Sequence, residues 1–263
     1  MKSFSGCGAL VRKELIVYFA TPIFYLTGFF FLVLAGYFFY TNLIYFSQLS
    51  LEIARQAAQN PQLLAQVKPQ EMVFRPLFQV LAVVLLLLVP LVTMRLLAEE
   101  KRSGTAELLF TYPMTDWSVI LGKYLSALAV YLVLLAFTII YAVAAGFLLT
   151  LDWGAVLTGY LGLVLLGASL LALGLFASSL TENQIIAAVM GFALLLMLWV
   201  IGLAQVLSAG AWSRLFQALS IMDHFDNFTR GVIDTRDLVY HFSFIFFFLF
   251  LTKRVLESRR WRA

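Results

Sequence analysis

Residues 124–151, YLSALAVYLVLLAFTIIYAVAAGFLLTL, and residues 153–181, WGAVLTGYLGLVLLGASLLALGLFASSLT, are separated by one charged residue, Asp152. Neither run contains Asp, Glu, Lys, Arg or His. A helix of about 20 apolar residues (range about 17–25) crosses the hydrocarbon layer of a bilayer, and each run is long enough to do so once. Backbone polar groups in lipid must be satisfied within the segment, which favours helices over irregular chain. The two runs therefore predict a helical hairpin with its turn at about Thr150 to Gly154. The fold class is an all-α polytopic membrane protein.

Four further charge-free runs flank this hairpin: Leu15 to Leu51, Pro76 to Met94, Asn183 to Ser213 and Leu238 to Thr252. The first three have the length of a span. The last is the shortest and contains His241; its aromatic LVYHFSFIFFFLFLT predicts a short or partly recessed crossing. Six spans follow, and composition agrees. The chain is 62% hydrophobic and 12% charged, where a soluble domain carries about 25% charged residues. A single cysteine, Cys7, excludes a disulfide framework and a cysteine metal cluster. The first span is rich in bulky aromatics and shows no small-residue cleavage site, so it reads as retained rather than as a signal peptide.

An even number of spans leaves both termini on one side. That side carries Lys2, Arg12, Lys13, Arg95, Lys101, Arg102, Lys123, Lys253, Arg254, Arg259, Arg260 and Arg262, which is twelve of the 18 Lys and Arg. The excess assigns it to the cytoplasm. Residues 3–20 then form an N-terminal interfacial segment, although Arg12, Lys13 and Glu14 do not share one helix face. Pro22 opens the first span as a first-turn proline, and Pro90 is placed to kink the second. The connecting parts are an outer segment at 43–73, a charged cytoplasmic loop at 95–118, an outer segment at 207–237 and a basic cytoplasmic tail at 253–263. Ser47 onward can form a short helix of its own, ending near Asn60-Pro61. Span four carries Gly159, Gly162, Gly167 and Gly174, small residues that let helices approach closely, within one chain or between subunits. The aromatic runs Phe29 to Phe31 and Ile245 to Phe250 suit lipid contact and also suit a lipidic cargo.

Catalytic signatures are absent. There is no HExxH, GxSxG or GxxxxGK[ST], and the Gly122-Lys123 pair has Trp117 where a phosphate loop needs its first glycine. No ATP site, metal site or catalytic residue is expected on this chain. Asp223, His224 and Asp226 in MDHFDN form the candidate ligand cluster; helix caps and surface polarity are the simpler reading. Spans without ionisable residues also disfavour a proton- or ion-coupled carrier. His241 reads as an interfacial residue at the outer end of the last span.

The loop between spans two and three combines two characters. EEKRSGTAELLFTYP, Glu99 to Pro113, sets Glu99, Glu100, Lys101, Arg102 and Glu107 beside Leu108, Leu109 and Phe110. Thr105 to Thr111 can form a short helix that Pro113 ends, and Thr115 or Asp116 caps the helix leading into span three. Leucines in a wet loop can give a docking site its affinity, about 1.5–3 kcal/mol for each fully buried side chain. Charged neighbours would steer the partner. The competing reading is a turn lying on the headgroups, with Lys123 snorkelling toward them.

EExRSGTxELLxTxP, with Gly122-Lys123 nine residues after Pro113, resembles the cytoplasmic loop of type-2 ATP-binding-cassette (ABC) transporter permeases. SSLTENQIIAAV at Ser178 to Val189 and HFDNFTRGVIDTRDLVY at His224 to Tyr240 resemble one branch of them. That branch includes gliding-motility permeases and, more distantly, permeases for nitrous-oxide-reductase maturation. The likeness runs over nearly the whole chain. It implies a coupling helix seated on a nucleotide-binding subunit, with Glu99, Glu100, Gly104, Thr105, Glu107, Leu108, Leu109 and Pro113 as the ATPase-coupling residues. Gly122 and Lys123 are implied as their membrane-proximal support, residues 3–20 as an amphipathic connecting helix, and Leu207 to Asp237 as re-entrant helices.

The function implied is that of a permease subunit of an ABC exporter in a bacterial inner membrane. It would work as a homodimer or heterodimer on ATP-binding subunits that carry the ATP and magnesium. An extracytoplasmic accessory subunit and the lipid bilayer are further implied partners, and nucleic acid is not. An ATPase-coupled membrane anchor or force-transmitting subunit that does not itself transport is the alternative.

Overall fold

The computed structural model describes residues 2–56, 68–104, 115–207 and 211–260. Helix α1 covers Lys2–Ala20 and α2 covers Pro22–Gln56, so Pro22 opens the first span as expected. A π-helical turn at Gln70–Phe74 leads into α3, Arg75–Thr93, and a short α4 covers Ala98–Arg102. Three long helices follow: α5 (Asp116–Leu148), α6 (Trp153–Leu180) and α7 (Gln184–Leu207). Two nine-residue helices, α8 (Ala211–Leu219) and α9 (Ile221–Thr229), precede α10 (Thr235–Arg260). Among the described residues six helices are long and apolar enough to cross a membrane, and no strand occurs.

Local chemistry sets the turns. Asp152 caps α6 by accepting from Gly154 N at 3.0 Å, and Asn183 caps α7 by accepting from Ile185 N at 2.9 Å. Thr115, rather than Asp116, caps α5, its hydroxyl accepting from Ser118 N at 3.3 Å.

Helix α6 is the centre of the bundle. Of its most apolar window 83% is buried, against 17% for those of α2, α7 and α10. It packs on α3, α5, α7, α9 and α10, and its small residues explain how so many neighbours fit. Phe78 of α3 lies on Gly159, Tyr131 of α5 on Gly167, and Thr93 of α3 on Gly174. A Cβ added at Gly162 would stand 2.5 Å from Cβ of Phe228 in α9. The glycine row thus receives side chains of its own chain, the close packing that drives helix association where there is no water to expel.

Two expectations are corrected. Helix α10 runs well beyond Leu238 to Thr252, so the sixth span is full length. Counting charge-free residues shortened it because Asp237 sits inside the helix, buried and paired with His224, while Lys253 and Arg254 pair with Glu257 at the other end. Helix α2 continues unbroken to Gln56, so the first half of the outer segment prolongs the span instead of forming a separate helix. Residues 57–67 of that segment, 208–210 and tail residues 261–263 lie outside the described residues.

Helix α1 and the last turns of α10 lie at one end of the bundle, against the start of α5. Helix α1 packs along α5, and Lys253 near the end of α10 lies 5.7 Å over the Trp117 ring at the start of α5. Helix α4 and the α6–α7 turn are at this terminal end, whereas the α5–α6 turn and α9 are at the far end.

Candidate functional site

At the terminal end, three helices bring acids and a base together. Lys123 of α5 is 1% exposed. Its Nζ donates to Glu14 Oε1 of α1 at 3.1 Å and lies 2.8 Å from Glu100 Oε1 of α4. Lys13 Nζ, on the solvent side, is 3.7 Å from the same Glu100 oxygen. Gly122 makes the approach of α1 feasible, since a Cβ there would be 2.8 Å from a Leu10 methyl. A desolvated ammonium costs several kcal/mol unless it is well paired. Two carboxylates supply that pairing here.

The corner between α3 and α4 is held from α6. Ser178 Oγ accepts from Leu97 N and Ala98 N, both at 3.1 Å, and donates to the Met94 carbonyl at 3.2 Å. These N–H groups belong to the first turn of a new helix, which has no internal acceptor for them. Lys101 donates to the Ser179 carbonyl. Arg95 grips Glu99 with two bonds, at 2.8 and 3.3 Å, and reaches Thr21 Oγ1 at 3.3 Å. Gly104, at φ +70°, then ends α4 in the left-handed region that glycine adopts without strain.

Of the predicted coupling residues, the structure brings Glu100 to the predicted support residue Lys123, beside Gly122; Glu99 on the same short helix pairs with Arg95, and Gly104 follows its end. Thr105, Glu107, Leu108, Leu109 and Pro113 lie outside the described residues. Lys123 does not snorkel to the headgroups; Glu14 and Glu100 hold it inside the protein. The charges at the start of the loop are engaged within the chain, Glu99 by Arg95, Glu100 by Lys123 and Lys101 by Ser179.

At the far end, MDHFDN forms most of α9, and its cap is Ser220, whose Oγ accepts from Asp223 N at 3.3 Å. Asp226 accepts from Arg75 Nη2 of α3 at 3.1 Å, from Arg230 Nε at 2.8 Å and from Gln79 Nε2 at 3.2 Å. Burial pushes the Asp226 carboxyl up, and the hydrogen bonds from Arg230 and Arg75 outweigh it, leaving the group below the usual carboxylate range. Asp223 goes the other way, burial raising its carboxyl by more than the Ser220 bond lowers it.

His224 Nδ1 is 2.6 Å from Asp237 Oδ1 of α10, and Asn227 donates to the other Asp237 oxygen at 2.8 Å. The three candidate ligands therefore turn to different partners. Among the described residues no group of three His, Cys, Asp or Glu is arranged to hold a metal. His241 is not interfacial: it is 0% exposed, with Nδ1 2.9 Å from Ser169 Oγ of α6.

Residues 9–252 match the family described as ABC-2 family transporter protein. The chain belongs to that family. A comparison with curated proteins gives no match. The permease is thus the membrane component of an ABC transporter, and its family implies an ATP-binding partner.

Several residues of this permease site were not singled out in the sequence. Glu14 shares its helix face with Leu10 and Tyr18, four residues to either side, and Leu10 and Glu14 are buried there. This is why it parts company with Arg12 and Lys13: its face packs on α5, whereas theirs looks outward. Spacing from Leu10 and Tyr18 was the available signal. Ser178 stands in SSLTENQ, a stretch that carries the family likeness but suggests no role for it. Arg75 and Asp226 are 151 residues apart, and no local pattern announces their pairing.

Proposed function

We propose that this permease is an exporter subunit that works as a dimer on two ATP-binding subunits in a bacterial inner membrane, with the terminal end of the bundle in the cytoplasm. Residues 105–114, with Leu108, Leu109 and Phe110, are its dock, and Glu99, Glu100, Gly104, Thr105, Glu107, Leu108, Leu109 and Pro113 are its coupling residues. ATP and magnesium belong to the partner. The excess of Lys and Arg at the terminal end supports the orientation, and the resemblance to a mainly exporting family supports the direction.

The observation that carries this reading is the Lys123 cluster. A loop that merely lies on headgroups has no need of a buried ammonium shared by two helices. A loop that transmits a push does. Force applied to residues 105–114 enters α4, passes through Glu100 and Lys123 to α5 and α1, and passes through Ser178 and Lys101 to the central helix α6. Gly122 and Lys123 act as the support of the coupling segment. The bundle is then positioned to shift between two packings as the ATPases close and open.

The test is capture of the ATP-binding subunit from native membranes by tagged permease, comparing wild type with Leu109→Asp and Glu107→Arg at equal membrane levels. Capture by wild type and its loss in both variants is the expected result. Equal capture by the variants would remove the docking role from the loop.

A further inference from the structure

At the far end, α8, α9 and the first turns of α10 border an open cleft of about 720 Å³. Clefts of about 300–1,000 Å³ are the size that seats small-molecule ligands. One wall is a single face of α9, where Asp223, Asn227 and Arg230 recur at positions i, i+4 and i+7. The facing wall is Arg236, Tyr240 and Ser243 of α10, at the same spacing. His224 joins the two walls: its ring is stacked 4.0 Å from that of Tyr240, and its Nδ1 meets Asp237. Gln217 and Ala218 of α8 complete the lining.

Most of the charge in this cleft is already paired. Asp226 takes Arg75, Gln79 and Arg230, and Asp237 takes His224 and Asn227. Among the described residues two charged groups remain over. Asp223 is in no ion pair, and its Oδ2 is buried without a donor, an arrangement that leaves a partly desolvated anion uncompensated. The Arg236 guanidinium has no partner either, and Arg230 gives only Nε and Nη2 to Asp226, which leaves Nη1 for a further acceptor. Asp223 stands in the first turn of α9, beside α8, and Arg230 at its end, beside the turn into α10. These positions are two turns apart, about 10 Å along the helix. The cleft therefore has an acidic end and a basic end.

That polarity selects a ligand. A simple cation would meet Arg230 and Arg236, and a simple anion would meet Asp223 and the exposed Asp234. The acids are not grouped to hold a metal. A molecule with an ammonium at one end and a carboxylate at the other satisfies both ends, each through charge-assisted hydrogen bonds. A single amino acid carries both charges on one carbon and is too short. Extended chain covers about 3.3–3.6 Å per residue, so about three residues match the spacing. Ala218, Val239 and Tyr240 offer apolar surface to the side chains.

We propose that this cleft binds a short peptide with free ends, its ammonium at Asp223 and its carboxylate at Arg236 and Arg230. The proposal rests on the cleft alone and needs no coupling to an ATPase.

Calorimetric titration of the detergent-purified full chain tests it, with trialanine, alanine, N-acetyl-trialanine and trialanine amide as probes. Trialanine should bind saturably and tightest of the four. Each blocked form should bind roughly tenfold more weakly, the size of one charge-assisted hydrogen bond. Asp223→Asn should weaken trialanine by a similar factor and leave N-acetyl-trialanine unchanged. Arg236→Gln should also weaken trialanine, with trialanine amide as the unaffected probe. Should either variant fail to fold, the comparison of free and blocked peptides on wild type still decides. No saturable binding of trialanine, equal binding of the blocked forms, or alanine binding as tightly as trialanine would each overturn the site.

Discussion

Lys123 Nζ and Glu100 Oε1 meet at 2.8 Å in a site where the lysine side chain is 1% exposed. One partner belongs to the first turns of α5, the other to the short helix α4 that opens the loop between spans two and three. Glu14 of α1 shares the same ammonium at 3.1 Å. Glu100 thus does its work inside the permease: neither α1 nor α4 can move away from α5 without stranding a charge.

Lys123→Met strands Glu14 and Glu100, whose side chains are only 11% and 14% exposed. Breaking a buried pair by removing one partner costs about 3–5 kcal/mol, and Lys13 beside Glu100 holds the loss to the lower part of that range. The midpoint of thermal unfolding in detergent should fall, and so should stimulation of the partner ATPase. Adding Glu14→Gln and Glu100→Gln removes the stranded charges and should recover the midpoint without recovering the stimulation. Recovery of both would reduce the cluster to a structural role.

Ser178→Ala removes the acceptor for Leu97 N and Ala98 N. Each N–H left without a partner costs about 1–3 kcal/mol. Hydrogen exchange over residues 94–102 should speed up while the far end, around Phe228, keeps its protection. Ser178→Thr should not restore the corner, because the site is fully buried and has no room for a methyl group. Unchanged exchange in the alanine variant would mean the corner is held without this hydroxyl.

Six spans and their turns were legible because lipid imposes its demand locally. A charge-free run long enough to cross is a span whatever surrounds it, and Asp152 and Asn183 cap the helices that begin beside them. The hidden parts are those set by distant partners. Lys123 looked like an ordinary end-of-span cation because Glu14 is 109 residues away. His241 looked interfacial because Ser169, which receives it, is 72 residues away on another helix. The sixth span looked short because Asp237 is tolerable within a helix only once His224 and Asn227 face it. The glycines of α6 announced close packing but not which side chain fills each hollow.

Gly159→Ala tests that packing. The new methyl would stand 2.1 Å from the Phe78 ring, and overpacking of this kind costs about 1–3 kcal/mol. Phe78→Ala alone opens a cavity at a buried position, at a cost of about 3–5 kcal/mol. Together the two should cost less than their sum, by about 0.5–3 kcal/mol, because removing the ring gives the alanine methyl room. Thermal unfolding of the four proteins gives the cycle. Strict additivity would show that α3 yields at Gly159 without using Phe78.

The far-end tie between α9 and α3 should depend on acid, and the sign follows from its charges. Asp226 is held by Arg75, Gln79 and Arg230, and those bonds keep its carboxyl below the ordinary value of 3.8 despite burial. A carboxyl lowered on folding contributes stability that is fully present above its unfolded value and is lost as pH falls through the folded one. Asp223, raised by burial, works in the opposite sense: its neutral form adds stability in acid that is lost as pH rises. Comparing wild type with Asp226→Asn largely cancels the Asp223 effect, whose main cause is burial and to which the Asp226 charge adds least, and so reports the tie. The difference in unfolding midpoint between these two proteins should be constant from neutral pH down to about 5 and shrink steadily below about 4. Arg75→Gln should show a smaller difference from its own Asp226→Asn partner, because one of the two guanidinium charges on the carboxylate is then gone. A difference that persists undiminished at the acid end would assign the effect of Asp226 to its shape and neutral hydrogen bonds, and Arg75 would then be no more than a neighbour.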